Sequence, residues 1–177
     1  MKRLNSKSIA YYALLIALNV ILSRVGSIRI GGGGVEFVRI GFGAFPVVFA
    51  GLVFGPVAGG IIGAFGDIVG ILISPMGPYL PHFTLNAALG GIIPGIVMIK
   101  CKDKKCLTSF WKLTLAISAG QIIAGTLLWA YFMNSLFGMS YTAILPTRII
   151  SQLINIPIYV YMTKVIITRL PIVIKEG

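Results

Sequence analysis

The chain has 177 residues, of which 57% are hydrophobic and 11% charged, and its mean hydropathy is +0.97. This composition excludes an ordinary soluble domain and is typical of integral membrane proteins. A net charge of +11 would point to nucleic acid in a soluble protein. In a membrane protein, basic residues have a topological explanation, so we expect no nucleic-acid partner. The length predicts one integral membrane domain over residues 1–177.

Six apolar segments have about the 17–25 residues that a helix needs to cross a bilayer. They cover approximately residues 8–25, 37–54, 57–73, 83–99, 110–134 and 142–168. The sequence therefore predicts an all-α, polytopic membrane protein with six transmembrane helices in a compact bundle. Pro46 and Pro94 are expected to kink the second and fourth helices, which membrane helices tolerate when neighbours satisfy the freed carbonyl groups.

The first segment carries Ala13 and Ala17 one helical turn apart on the same face. Small side chains at this spacing let a second helix approach closely in lipid. Such a face serves either packing within the chain or contact with a partner, and the residues alone leave both open.

The third segment combines a small-residue face with a charge. Gly59, Gly63, Gly66 and Gly70 recur at spacings of four, three and four, which places them on one helical face and predicts close helix packing. Asp67 lies in the same segment, and a carboxylate at membrane depth costs roughly 2.5–3.5 kcal/mol on insertion scales. Asp67 is therefore a candidate ligand contact, and a structural ion pair with an arginine is the alternative.

Basic residues are distributed unevenly between the two sides of the predicted bundle. All nine lysines fall on the side of the two chain ends, which places both termini in the cytoplasm by the positive-inside rule. The arginines at the opposite, outer side are Arg24, Arg29, Arg39 and Arg148. Because guanidinium groups bind carboxylates and phosphates in a two-pronged geometry, this cluster favours an anionic ligand approached from outside. Lipid headgroups and local ion pairs are the alternative partners.

Further polar and aromatic residues accompany these charges. In the sixth segment Arg148, Gln152, Asn155 and Tyr159 are spaced four, three and four apart, which makes a polar stripe suited to a cavity wall. Gln121, in the middle of the fifth segment, is interpreted first as an interhelical hydrogen-bonding residue.

Catalytic and metal chemistry has little support in the sequence. Intramembrane acid–base or metal chemistry needs paired carboxylates or histidine clusters, whereas the predicted spans hold one acidic residue, Asp67. We therefore expect no enzyme, no metal site and no cofactor. Cys101 and Cys106 stand in a lysine-rich segment without a neighbouring histidine, and they are interpreted as reduced cytosolic thiols.

Several motifs resemble the substrate-binding S components of energy-coupling factor (ECF) vitamin transporters. They are the alanine face of the first segment, RIGFGAFPVVFAGLVFGPVAGGIIGAFGDIVG, and GPYLPHFTLNAALGGIIPGI. LSRVGSIRI and LPTRIISQLINIPIY, around Arg24 and Arg148, make the folate-specific S components the most similar group. The likeness covers essentially the whole chain.

The resemblance implies a bacterial cell-membrane protein that binds folate near the outer face. It implies docking on a transmembrane coupling subunit through Ala13 and Ala17, and two cytoplasmic ATPases that use ATP. The chain itself has no Walker lysine motif, so any ATP hydrolysis must come from such partners. The expected substrate-binding residues are Arg24, Arg29, Asp67, Tyr79, Phe83, Trp129, Arg148 and Gln152. Another vitamin of the riboflavin or thiamin type, or a self-contained small transporter, is the alternative function.

Overall fold

The structure is a computed structural model, and it describes residues 6–24, 26–32, 35–73, 79–101 and 104–169. The helices are α1 (Ser6–Arg24), α2 (Phe45–Phe54), α3 (Pro56–Ile73), α4 (Pro81–Val97), the four-residue α5 (Lys104–Leu107), α6 (Phe110–Ile122), α7 (Trp129–Phe137) and α8 (Tyr141–Arg169). A π-helical turn at Ile123–Leu128 joins α6 to α7, so that residues 110–137 form one continuous helix. With α5 set aside, the six-helix prediction is confirmed.

The helix surfaces agree with a membrane protein. The helix α3, the continuous helix over residues 110–137 and α8 are each long and apolar enough to cross a membrane. Large apolar side chains point outward along them, and Leu72, Trp111 and Leu153 are among the most exposed. Apolar surface of this extent would promote aggregation in water, whereas in a bilayer it faces lipid.

A β-hairpin precedes α2 and corrects the predicted second helix. Strand β1 (Ser27–Gly32) pairs antiparallel with β2 (Val35–Gly41), with Ile28 opposite Ile40 and Ile30 opposite Val38. The expectation of a helix from residue 37 is wrong for residues 37–44, since the strand runs to Gly41 and α2 begins only at Phe45. The β-branched residues on both sides of a glycine run favour strand pairing. The hairpin lies beside the bundle and leaves the six helices intact.

The start of α2 also corrects the role expected of Pro46. The helix begins at Phe45, so Pro46 lies in its first turn, where the missing backbone N–H would have had no partner in the helix. Pro46 therefore does not kink the interior of α2. Pro94 does lie inside α4, and its ring packs against Gly120 of α6, where an added Cβ would come within 2.6 Å of Pro94 Cγ.

The glycine face of α3 packs the centre of the bundle, as predicted. A Cβ atom added at Gly59 would lie 2.7 Å from both Gly51 Cα of α2 and the Gly91 carbonyl oxygen of α4. Real Cβ atoms essentially never approach backbone atoms below 3.0 Å. The backbones of α2, α3 and α4 are thus in direct contact, and this contact positions Asp67 next to α4.

The structure corrects the expectation of free thiols at the end of α4. Cys101 and Cys106 form a disulfide, with their Cα atoms 5.4 Å apart. The turn between α4 and α5 brings the two residues within the Cα separation that a disulfide requires.

Candidate ligand-binding site

A cavity of about 220 Å³, here called the central cavity, lies among the helices. Its walls come from the six long helices, including the π-helical turn between α6 and α7, and from the end of the hairpin and the residues that follow it, at Gly41, Gly43 and Ala44. Its polar lining residues are Asn19, Ser23, Arg24, Asp67, Asn86, Gln121, Arg148, Gln152, Asn155 and Tyr159. A cavity in which apolar walls carry a few convergent polar groups is the usual form of a small-molecule site.

Two guanidinium groups line the central cavity from different helices. Arg24 is the last residue of α1, and its guanidinium lies against α3, since an added Cβ at Gly70 would be 3.2 Å from Arg24 Nη2. Arg148 comes from α8, is 7% exposed, and holds its Cζ atom 4.1 Å from the centre of the Trp129 ring. This cation–π contact holds the guanidinium at the cavity wall, and a guanidinium is the side-chain group best suited to binding carboxylates and phosphates.

An aromatic pair continues from Arg148 across the cavity. The rings of Phe83 and Trp129 lie 4.8 Å apart at 41°, and both side chains line the cavity. Phe83 comes from the first turn of α4 and Trp129 from the start of α7. At this separation the two rings contact each other, so a flat ring of a ligand could stack only on an aromatic face that the pair leaves open to the cavity.

The carboxylate of Asp67 is held by a short hydrogen-bond chain. Thr84 Oγ1 of α4 donates to Asp67 Oδ2 at 2.7 Å, and the Tyr79 hydroxyl lies 3.1 Å from the same Thr84 oxygen. An ionised carboxylate accepts about four hydrogen bonds, so Asp67 retains capacity for a ligand that carries N–H donors. Tyr79 itself is 48% exposed and lies outside the cavity lining.

Residues 41–44 are fastened to the cavity walls from two sides. On one side, Asn19 Nδ2 of α1 donates to the Gly43 carbonyl oxygen at 2.7 Å. On the other, the Tyr159 hydroxyl of α8 donates to the Gly41 carbonyl oxygen at 2.7 Å, and Gly41 N donates to Asn155 Oδ1 at 3.3 Å. These bonds position the end of the hairpin as part of the cavity wall.

Two buried amide oxygens of the cavity have no hydrogen-bond partner among the described residues. They are Asn86 Oδ1 of α4 and Gln152 Oε1 of α8. Buried polar atoms in proteins are nearly always paired, so such atoms in a cavity indicate where ligand donors can bind.

The central cavity brings together six of the eight substrate-binding residues predicted from the sequence. These are Arg24, Asp67, Phe83, Trp129, Arg148 and Gln152. Tyr79 lies beside the cavity and reaches it through Thr84. Arg29 is on β1 opposite Arg39, and its side chain lies outside the described part of the structure.

Sequence reasoning missed several members of the site. Asn19 and Asn86 are amides in apolar segments; Asn86 was noted as a polar residue near the outer end of the fourth segment, and neither was among the predicted substrate-binding residues. Gln121, interpreted as an interhelical residue, lines the cavity and is 8% exposed. Asn155 and Tyr159 belong to the predicted polar stripe, whose interpretation as a cavity wall is confirmed.

The fold and the cavity define a helical membrane protein built around a polar, partly charged cavity. The family model for the S component of ECF-type riboflavin transporters matches residues 3–171, and the chain belongs to this family of transporter S components. It is accordingly a membrane transport protein and not an enzyme.

Relatives and solved structures agree with this assignment. The chain is 31% identical over 178 residues to the folate transporter FolT of Clostridium novyi (strain NT), covering 99% of this chain and 96% of that protein. It is 25% identical to the folate transporter FolT of Leuconostoc mesenteroides subsp. mesenteroides, covering 89% and 83% of the two chains. A crystal structure of FolT bound with folic acid superposes with a TM-score of 0.76 at 30% identity, covering 94% and 97%. The resemblance to folate-specific S components is confirmed.

Proposed function

We propose that this chain is the substrate-binding subunit of an ECF-type importer and captures folate at the extracellular side of a bacterial cell membrane. The observation that supports this most is the central cavity, which combines Arg24, Asp67 and Arg148 with the Phe83–Trp129 pair. The two relatives named as folate transporters and the folic acid-bound structure point the same way.

Each part of folate has a chemical counterpart in the cavity. Its glutamate carboxylates match the guanidinium groups of Arg148 and Arg24, which can bind them through paired hydrogen bonds. Its pterin carries an amino group beside a ring N–H, and one carboxylate such as Asp67 can accept from both. Its flat rings match the faces of Phe83 and Trp129.

Two predicted residues have supporting roles in this proposal. Tyr79 orients Asp67 through Thr84, since the three side chains form one hydrogen-bonded chain. Arg29 adds a further positive charge on the hairpin that leads into the cavity wall.

Riboflavin is the second candidate, because the matching family model is described by that vitamin. The central cavity offers acceptor oxygens on Asp67, Asn86 and Gln152. A pterin edge supplies several N–H donors to such acceptors, whereas a flavin ring supplies one N–H beside two carbonyl oxygens. The donor–acceptor pattern therefore favours folate over riboflavin. Unphosphorylated thiamin carries no anionic group that could bind the arginines.

Delivery of the substrate is proposed to need partners. Ala13 and Ala17 are exposed on α1, as a face that docks on a transmembrane coupling subunit must be. Two cytoplasmic ATPases would supply ATP hydrolysis, and the chain itself would carry no cofactor. The lysine distribution supports a multi-pass topology with both termini in the cytoplasm.

Calorimetry of the purified chain against a panel of folic acid, riboflavin and thiamin tests the substrate. We expect stoichiometric binding of folic acid and no heat with the other two vitamins. Heat with riboflavin or thiamin and none with folic acid would sink the folate assignment. Uptake of folate into liposomes by this chain alone, without an ATPase, would instead identify a self-contained transporter.

A further inference from the structure

The helix over residues 110–137 changes its hydrogen-bonding register beside the central cavity. The π-helical turn at Ile123–Leu128 interrupts it, and Thr126 Oγ1 donates to the Gln121 carbonyl oxygen at 3.4 Å. Turns of this kind are rare and are frequently found at functional sites. The turn contributes Gly125 to the cavity wall, and Gln121 and Trp129 flank it there.

Gly125 is where two buried carboxamides meet the backbone. A Cβ atom added to Gly125 would lie 2.5 Å from Gln152 Nε2 and 3.0 Å from Gln121 Oε1. Both distances are below ordinary van der Waals contact, and the first is below any separation that real Cβ atoms show. Any side chain at residue 125 would therefore displace the Gln152 carboxamide.

The Gln152 carboxamide is held in an incomplete hydrogen-bonding environment. The residue is 8% exposed, and its Oε1 atom has no partner among the described residues. An unsatisfied buried acceptor costs more than an ordinary hydrogen bond gains, so its retention needs a compensating partner. Because the nitrogen of the same group is placed over Gly125, the oxygen is the end left for a donor in the cavity.

We propose that Gly125 is a specificity-determining position. By leaving room for the Gln152 carboxamide, it orients the Gln152 oxygen to accept a hydrogen bond from an N–H group on the edge of the ligand's planar heterocycle. A carboxylate tail is excluded from this position, since a carbonyl oxygen repels it. The inference rests on the proposed function and specifies how that site selects the ring of its substrate.

A double-mutant cycle on the full chain in detergent tests this inference with folic acid as the probe. The variants are Gly125→Ala, Gln152→Ala and the two combined, and dissociation constants are measured by calorimetry. Each single substitution is expected to weaken binding about tenfold, the value of one lost hydrogen bond to a neutral group at the upper end of its range. If Gly125 acts through Gln152, the combined variant binds within about twofold of Gln152→Ala alone.

Two results would overturn the inference. One is wild-type affinity in Gly125→Ala. The other is an equal loss from Gly125→Ala with and without the Gln152 side chain, which would mean that the added methyl group acts on the fold or on the ligand directly. A purely structural role would produce this second, additive result.

If Gly125→Ala does not fold, the combined variant tests the inference in its place. The combined variant removes the carboxamide that the new methyl group approaches most closely, at 2.5 Å, and leaves only the 3.0 Å approach to Gln121 Oε1. The inference therefore requires it to fold and to bind like Gln152→Ala. A combined variant that also fails to fold refutes the inference. If the wild-type chain binds riboflavin and not folic acid, the folate assignment fails, but the inference about Gly125 does not fail with it. The same double-mutant cycle then tests that inference with riboflavin as the probe.

Discussion

Replacement of Arg148 by methionine is the most direct perturbation of the proposed anion site. The change removes the guanidinium and keeps an unbranched apolar side chain on α8 at a position that is 7% exposed. Each hydrogen bond to a charged group contributes about 1.5–3 kcal/mol. The expected loss of folic acid affinity is therefore about 10- to 150-fold. Arg148→Lys should fall between the wild type and Arg148→Met, because it keeps the charge but loses the fork and the flat contact with Trp129.

The position of Trp129 supplies the assay. Its ring lies 4.1 Å from Arg148 Cζ inside the cavity, whereas Trp111 is 79% exposed at the start of α6. A Trp111→Phe background leaves Trp129 as the one indole in the chain, so its fluorescence reports on cavity occupancy. Titration of this background with folic acid, with and without the Arg148 substitutions, gives the affinities to be compared.

Arg169→Met is the matched control for that experiment. It removes the same charge from the same helix, but at an exposed position in the last turn, remote in sequence from the cavity residues of α8. We expect wild-type affinity in the control. Folic acid affinity within twofold of wild type in Arg148→Met, or an equal loss in both variants, would refute the assignment of Arg148 to the anion site.

Three further predictions concern the carboxylate, the docking face and the glycine packing. Asp67→Asn should weaken folic acid binding in calorimetry, because the carboxylate becomes a neutral amide, and unchanged affinity would remove Asp67 from the site. Ala13→Leu should leave folic acid affinity unchanged but lower uptake by the assembled transporter, and normal uptake would contradict docking through this exposed face. Gly59→Ala should destabilise the bundle by about 1–3 kcal/mol, because its new methyl group meets the Gly91 carbonyl oxygen at 2.7 Å. The measurement is thermal unfolding, and the control is Gly90→Ala, since nothing lies within 4 Å of a Cβ added at Gly90. Equal unfolding temperatures of the two variants would contradict the packing argument.

Hydropathy located five of the six helices within a few residues. Segments predicted at 57–73 and 142–168 correspond to α3 at Pro56–Ile73 and α8 at Tyr141–Arg169. The second segment failed because apolar content does not distinguish a helix from a strand with β-branched residues. Residues 38–41 pair with residues 27–30 of β1, and the apolar content of a segment carries no information about such a pairing partner.

In the site, too, some residues can be identified from the sequence alone, whereas the role of others depends on their tertiary contacts. Charged residues in apolar segments are conspicuous in a sequence, and Arg24, Asp67 and Arg148 were identified in that way. Gly125 and Asn19 were not identified, because a glycine or an amide in a membrane helix is usually a packing residue. Their importance depends on what lies opposite, namely Gln152 for Gly125 and the Gly43 carbonyl oxygen for Asn19.

By itself, the sequence determined the class of protein, the number of long helices, the lysine asymmetry and the family, because composition, periodicity and motif are properties of contiguous residues. Only the tertiary structure decided how the polar residues combine. The contacts of Gly41 with Asn155 and Tyr159 join positions 114 and 118 residues apart. Backbone-to-backbone packing at Gly51, Gly59 and Gly91 is equally non-local, and it sets the distances between α2, α3 and α4. Together these contacts place two arginines, one carboxylate and a set of amides around one cavity.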